Sequence, residues 1–272
     1  MTKLKIIPAI VILLMCYGQQ LVSQVEGKIP YKELLKYYQF PKESDFKRYA
    51  KLGENYKEAL ELIKDRQFWA RCLQIVQERT GLVEKVPTKK FSVTILLSQR
   101  DQTGKKALAC ASSVTKRSHY IKVYMQQLTE HIRTGNIRRK MQSTVVHELT
   151  HIFQQAGAAW RSRRQPNWIV EGMAKYVDGS GGFTKSFYEN YIQKKKKLPD
   201  LDKRMKDSDS YNRGELFFKY IQRTYGTGKV KEFFDLLINK GLTYRKAAEK
   251  ITGKKWKQIK KEEYEWATNR VR

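Results

Sequence analysis

Residues 138–177 read RRKMQSTVVHELTHIFQQAGAAWRSRRQPNWIVEGMAKYV. Val145, Val146, Leu149, Ile152 and Phe153 recur at helical spacing, and Gly157 closes the pattern, which predicts a helix over Arg138–Ala156. A polar loop, Arg161 to Gln165, leads to Pro166. Proline is tolerated in a first helical turn, so a second helix is expected over Asn167–Val177, ended by the glycines between Gly179 and Gly182. His147 and His151 lie at i and i+4, which stacks their imidazoles on one face of the first helix. Glu148 follows His147 directly and projects about 100° away from it. The plain alternative is a solvent-facing pair of histidines on an ordinary helix. The apolar residues around the pair argue for burial instead, and neutral imidazoles in a core need polar partners or a metal.

A catalytic zinc usually takes three protein ligands and keeps one open position, so a third donor must arrive from another element. Glu171 is the candidate, set among apolar residues in Trp168-Ile169-Val170-Glu171-Gly172-Met173-Ala174 on the second helix. Nineteen residues separate it from His151, enough for a loop and an antiparallel return. The competing reading is a surface Glu171 paired with Lys175 at i+4. Glu148 need not ligate. It can stand beside a metal-activated water and take its proton, the role of the glutamate in H-E-x-x-H zinc proteases.

His147-Glu148-Leu149-Thr150-His151, followed by Trp168-Ile169-Val170-Glu171-Gly172-Met173-Ala174-Lys175-Tyr176, resembles the gluzincin metallopeptidases. The spacing is similar to thermolysin-like enzymes, and the second phrase to the aminopeptidase-like and peptidase MA-like branches. The resemblance is specific over Arg138–Val177 and weak before residue 90. It implies a zincin-like fold with one zinc ion held by His147, His151 and Glu171, and Glu148 as general base. It also implies an edge strand over the cleft that pairs with an extended peptide, for which His119–Tyr124 is the candidate. A tyrosine or histidine is expected to stabilise the oxyanion. Tyr211 is the first choice because it opens the next predicted helix, with Tyr176, Tyr188 and Tyr191 as competitors. Where thermolysin-like enzymes carry an aspartate four residues after the third ligand, this chain has Lys175, and Asp178 is the available substitute. The Gly-x-Met-x-Asn strand of aminopeptidases is absent from the sequence, which favours an endopeptidase or another mode.

Outward from this stretch, helical spacing covers much of residues 31–81. Short alternating runs at Phe91–Leu97, Leu108–Val114 and His119–Tyr124 read as strands, and helices are expected at Tyr211–Tyr225, Lys229–Asn239, Arg245–Ile251 and Trp256–Arg270. Helices, a small sheet and helices again give an α+β class. The organisation read from this is a signal peptide over 1–23, a helical N-terminal region over 25–90, a catalytic core over 91–177 and a helical C-terminal subdomain over 178–272.

The leader assignment rests on Lys3 and Lys5, the uncharged apolar run Ile6–Tyr17, and the small residues Gly18 and Ser23. About a dozen apolar residues fall short of the ~20 a spanning helix needs, and no later window is long and apolar enough. The expected location is therefore secreted or extracytoplasmic. Export permits a disulfide between Cys72 and Cys110, or leaves two buried thiols.

The chain has 272 residues, with Lys+Arg 55 against Asp+Glu 27 and a formal net charge of +28. Apolar residues at 40% and aromatics at 12% exclude a mainly disordered protein, and three cysteines exclude a disulfide-dense scaffold. Basic clusters at Arg138–Lys140, Arg161–Arg164, Lys194–Lys197 and Lys254–Lys261 fit either solvated faces or an anionic cell surface or wall polymer. Nucleic acid fits the charge, yet no helix-turn-helix, zinc-knuckle or stacked-aromatic module accompanies it. The expected function is a zinc metallopeptidase acting on peptide or protein. The alternatives are an inactive peptidase-like protein that binds anionic surfaces, and a zinc hydrolase of a non-peptide bond.

Overall fold

The computed structural model describes residues 38–39, 54–82, 90–96, 109–115, 118–124, 136–156, 165–181 and 185–269. The expected leader lies outside these residues. In chain order the elements are β1 (Tyr38–Gln39), α1 (Glu54–Lys64), α2 (Arg66–Thr80), β2 (Lys90–Leu96), β3 (Ala109–Thr115) and β4 (Ser118–Tyr124). Then come α3 (Ile137–Ala156), α4 (Asn167–Asp178) and α5 (Lys185–Tyr188), which runs on into a π-helical turn, Glu189–Lys194. The chain continues with α6 (Asp207–Tyr225), α7 (Thr227–Ile238), α8 (Tyr244–Thr252) and α9 (Trp256–Asn269). The class is α+β, as expected. No helix among the described residues is long and apolar enough to cross a membrane.

The sheet is mixed and four-stranded, in the order β1-β2-β4-β3. β1 and β4 run parallel to β2, and β3 runs antiparallel to β4 with an irregularity between Ser113 and Thr115. Two expectations change here. The N-terminal region is not wholly helical, because Tyr38–Gln39 pairs with β2. His119–Tyr124 is not an edge strand: it sits between β2 and β3, and among the described residues the edge on that side is Ala109–Thr115. A sequence read strand by strand carries no signal for lateral order, which long-range pairing decides. On one face of the hairpin, Ala109 pairs with Val123 and Ala111 with Ile121. Ile121 and Val123 are fully buried, and this face packs on α3.

Helix α3 sends Met141, Val145, Leu149 and Ile152 into a core shared with α1, α2 and α4. α2 is capped at one end by Asp65, whose carboxylate accepts from Gln67 N–H at 2.8 Å, and at the other by Gly81 at φ 70°. The Arg79 guanidinium then donates to Val177 O at 2.5 Å, setting a cation at the negative end of α4. Cys72 is buried in this core and Cys110 lies 3.1 Å from the Tyr124 hydroxyl, and both thiols are free. Burial pushes the Cys72 thiol far above its usual range, which makes it unreactive.

The contact that positions the site is between α4 and α6. Gly172 faces Gly214, and a Cβ on Gly214 would lie 2.1 Å from Trp168 O, so the two backbones touch where no side chain fits. Trp168 anchors α4 from below, its indole donating to Leu201 O at 2.9 Å. The same core continues through Phe217, Phe218, Phe233, Phe234, Ile251 and Ile259 of the C-terminal helices. There the buried Arg213 and Glu263 form a two-pronged ion pair, and Arg213 Nε also donates to Pro199 O at 2.9 Å.

Candidate metal centre

α3 and α4 run antiparallel, with residues near the end of α3 bonded to the start of α4 and His147 bonded to the end of α4. One helical turn separates His147 from His151, whose rings meet edge to face with centroids 4.9 Å apart. Across from them, Glu171 Oε2 lies 3.4 Å from His147 Nε2 and 3.4 Å from His151 Nε2. That oxygen is buried and makes no hydrogen bond. The donor atoms of the three residues lie within 4.8 Å of one another and could hold a metal ion. The expected triad is therefore brought together. Lys175 does not pair with Glu171, because its ammonium donates to Ser180 Oγ at 2.7 Å.

The far nitrogen of each imidazole is fixed. Asp178 Oδ2 accepts from His147 Nδ1 at 3.0 Å, so Asp178 stands where the Lys175 position left a gap. His151 Nδ1 donates to Gln154 Oε1 at 2.9 Å, and Gln154 Nε2 donates to Val170 O at 2.9 Å. Because the Val170 carbonyl only accepts, it fixes which way the Gln154 amide faces. Each Nδ1 is thus a donor, and each Nε2 is turned toward Glu171. Gln154 is a site residue that sequence reading missed. Standing next to Gln155, it carried no signal of its own.

The electrostatics follow from burial and close charges. Burial works against a charge on His147, but the hydrogen bond to Asp178 and the close Glu171 carboxylate outweigh it and lift the imidazole to about 10. His151 is raised against burial in the same way, by Glu171. Burial would raise Glu171 and Asp178, yet both are held below the usual carboxylate range, Glu171 by the two imidazoles and Asp178 by His147. Glu148, Glu171 and Asp178 thus surround the two imidazoles with negative charge, which favours a cation between them.

Glu148 is buried and is not one of the three clustered donors. Burial raises its carboxyl above the ordinary range, against the pull of His151 and His147. The backbone N–H of Ala111, on β3, donates to it. Tyr211 stacks on His147, with centroids 5.8 Å apart and planes 17° apart. Burial and the facing Glu171 carboxylate push its hydroxyl well above the usual tyrosine range, so it stays a proton donor. It sits in the second turn of α6, which begins at Asp207, and does not open that helix as the sequence suggested. The competing tyrosines point elsewhere. Tyr176 packs against Phe218 and Phe234, Tyr191 donates to Asp209 at 2.6 Å, and Tyr188 packs on the smaller apolar cluster.

Residues 46–264, more than half of the chain, match the family model described as "Peptidase of plants and bacteria". No curated protein and no solved structure matches the chain.

Proposed function

The chain belongs to the family of peptidases of plants and bacteria, and from that premise we propose that it is an exported, zinc-dependent peptidase of the gluzincin type. The observation that carries the reading is Glu171 Oε2, buried without a hydrogen bond and 3.4 Å from two Nε2 atoms. Bonds of about 2.0–2.2 Å at tetrahedral angles set two zinc ligands roughly 3.4 Å apart, so His147, His151 and Glu171 fit the ion. When bound, zinc supplies Lewis acidity, which lowers the pKa of water toward neutrality and polarises a carbonyl.

The chain's own residues do the rest. Asp178 and Gln154 hold the two imidazoles in the ligating tautomer. Glu148 takes the proton of the attacking water and passes it to the leaving amine, and the burial that raises its carboxyl suits both transfers. Tyr211 presents a hydroxyl beside the triad, able to donate to the oxygen on which negative charge develops. An extended peptide lies along β3, the strand whose residue 111 bonds Glu148. Export is part of the proposal and rests on the leader read in residues 1–23.

Metal analysis before and after chelation, with peptide turnover followed in parallel, tests this reading. About one zinc per chain is expected, with turnover lost on chelation and restored by zinc. Glu148→Gln should keep the zinc and lose turnover by about 10²–10⁴-fold. Full activity in that variant overturns the mechanism.

A further inference from the structure

A groove of about 350 Å³ runs beside the metal centre, between the first half of α3 and the end of α4. Its α3 wall includes Arg139, Lys140 and Ser143, which precede His147 by eight, seven and four residues and so share its helical face. Its α4 wall includes Lys175 and Asp178, which follow Glu171 by four and seven and share that face in turn. The groove therefore starts one helical turn from the histidine and adjoins the metal centre through Asp178, which bonds His147 Nδ1.

Its charge is one-sided. Among the described residues, Arg139, Lys140 and Lys175 have no carboxylate partner. The one acid on the wall is already engaged at both oxygens: Asp178 Oδ2 accepts from His147 Nδ1, and Oδ1 accepts from Ser180 N–H at 2.6 Å. Three cations thus face a groove whose single carboxylate is turned inward. Ser143 and Ser180 add hydroxyls. A groove with this lining selects a carboxylate, and 350 Å³ accommodates an aspartate or glutamate side chain with water around it.

We propose that this groove is a specificity subsite for an acidic residue of the peptide near the cleaved bond, held by Arg139, Lys140 and Lys175. The proposal rests on the peptidase reading and names its substrate class. Lys175 occupies the place where thermolysin-like enzymes carry an aspartate, and with Asp178 supporting His147 from farther along the helix, that place is open to a substrate-binding cation.

Two arms test it on the full zinc-loaded chain. In the first, peptide sets differing only by Glu, Gln or Lys near the scissile bond are compared for kcat/KM in the wild type and in Arg139→Gln/Lys140→Gln. Arg139 is exposed and Lys140 half-buried, so the double variant should fold, checked by thermal melting. The wild type should prefer Glu over Gln by roughly tenfold, as one charge-assisted contact supplies, and the double variant should lose that ratio. Equal turnover of the Glu and Gln peptides by the wild type, or a ratio that survives the double variant, overturns the subsite. In the second arm, binding of a Glu peptide and its Gln analogue to Glu148→Gln is measured calorimetrically. This arm needs no turnover. If no peptide is ever cleaved, the peptidase reading fails, while a Glu preference in binding that Arg139→Gln/Lys140→Gln abolishes still upholds the groove.

Discussion

Two clusters of buried ionisable side chains, both packed against α6, make opposite use of their hydrogen-bonding capacity. Around Arg213, two guanidinium nitrogens meet the two oxygens of Glu263 and the third donates to Pro199 O. Around His147 and His151, the outer nitrogens are matched by Asp178 and Gln154, yet the inner ones converge on a carboxylate oxygen that makes no hydrogen bond. A buried polar set that closes on itself holds structure together, whereas one that converges on an open acceptor leaves a place for something else. Glu215 sharpens the rule. Its buried oxygens also lack hydrogen bonds, but the Lys219 ammonium lies 2.5 Å away on the same helix and supplies the missing charge.

The contrast can be broken from either side. The largest expected change is the loss of turnover in Glu148→Gln set out above, with metal content and melting temperature held. Next is Glu263→Gln, which strands the buried Arg213 and should cost about 3–5 kcal/mol by chemical denaturation, with the metal stoichiometry of the folded fraction unchanged. The double change Arg213→Met/Glu263→Leu should recover most of that loss. If it does not, the pair is more than a structural clasp. Gly214→Ala should cost about 1–3 kcal/mol, because its methyl meets the Trp168 carbonyl. Asp178→Asn and Gln154→Leu should each weaken zinc affinity by about 10–100-fold in a chelator competition, with little change in melting temperature of the metal-free protein. A variant that melts early but binds zinc normally would move its residue into the structural cluster.

The smallest effect is acid sensitivity in the C-terminal helices. Burial would raise Asp202, but hydrogen bonds from Lys260, Trp256 and Tyr244 hold it down to about 2. A carboxyl lower in the folded than in the unfolded state stabilises above its unfolded pKa of about 3.9. That contribution fades as pH falls from there toward 2. Thermal melts at pH 5 should show Asp202→Asn less stable than wild type, with the gap clearly narrower at pH 2.5. A gap that stays constant would place the effect outside titration of this group.

The legible part of the site was the part written at helical spacing. His147, His151 and Glu171 follow from an i, i+4 pair and a lone acid on an apolar helix, and Asp178 from the helical reach of the same element. Gln154 was not legible, because a glutamine on a helix says nothing until its neighbours in space are known. The strand at Tyr38–Gln39 and the order β2-β4-β3 escaped for a related reason: two residues carry no period, and lateral order is set by pairing partners far apart in sequence. The start of α6 was missed because Asp207, Ser208 and Asp209 are polar, as first helical turns are, and show no apolar rhythm. Tyr211 was chosen for the wrong position in its helix and still lies against His147, brought there by the glycine crossing three residues later.

The N–H of residue 111 has a consequence for any peptide laid beside β3. A sheet border offers its donors as a regular row, and here one of them already faces the buried Glu148 carboxylate. An incoming backbone finds a missing rung at that point. On the proposed peptidase reading, the rungs on either side would act as a ruler, setting which of the guest's carbonyls comes to rest opposite Glu148.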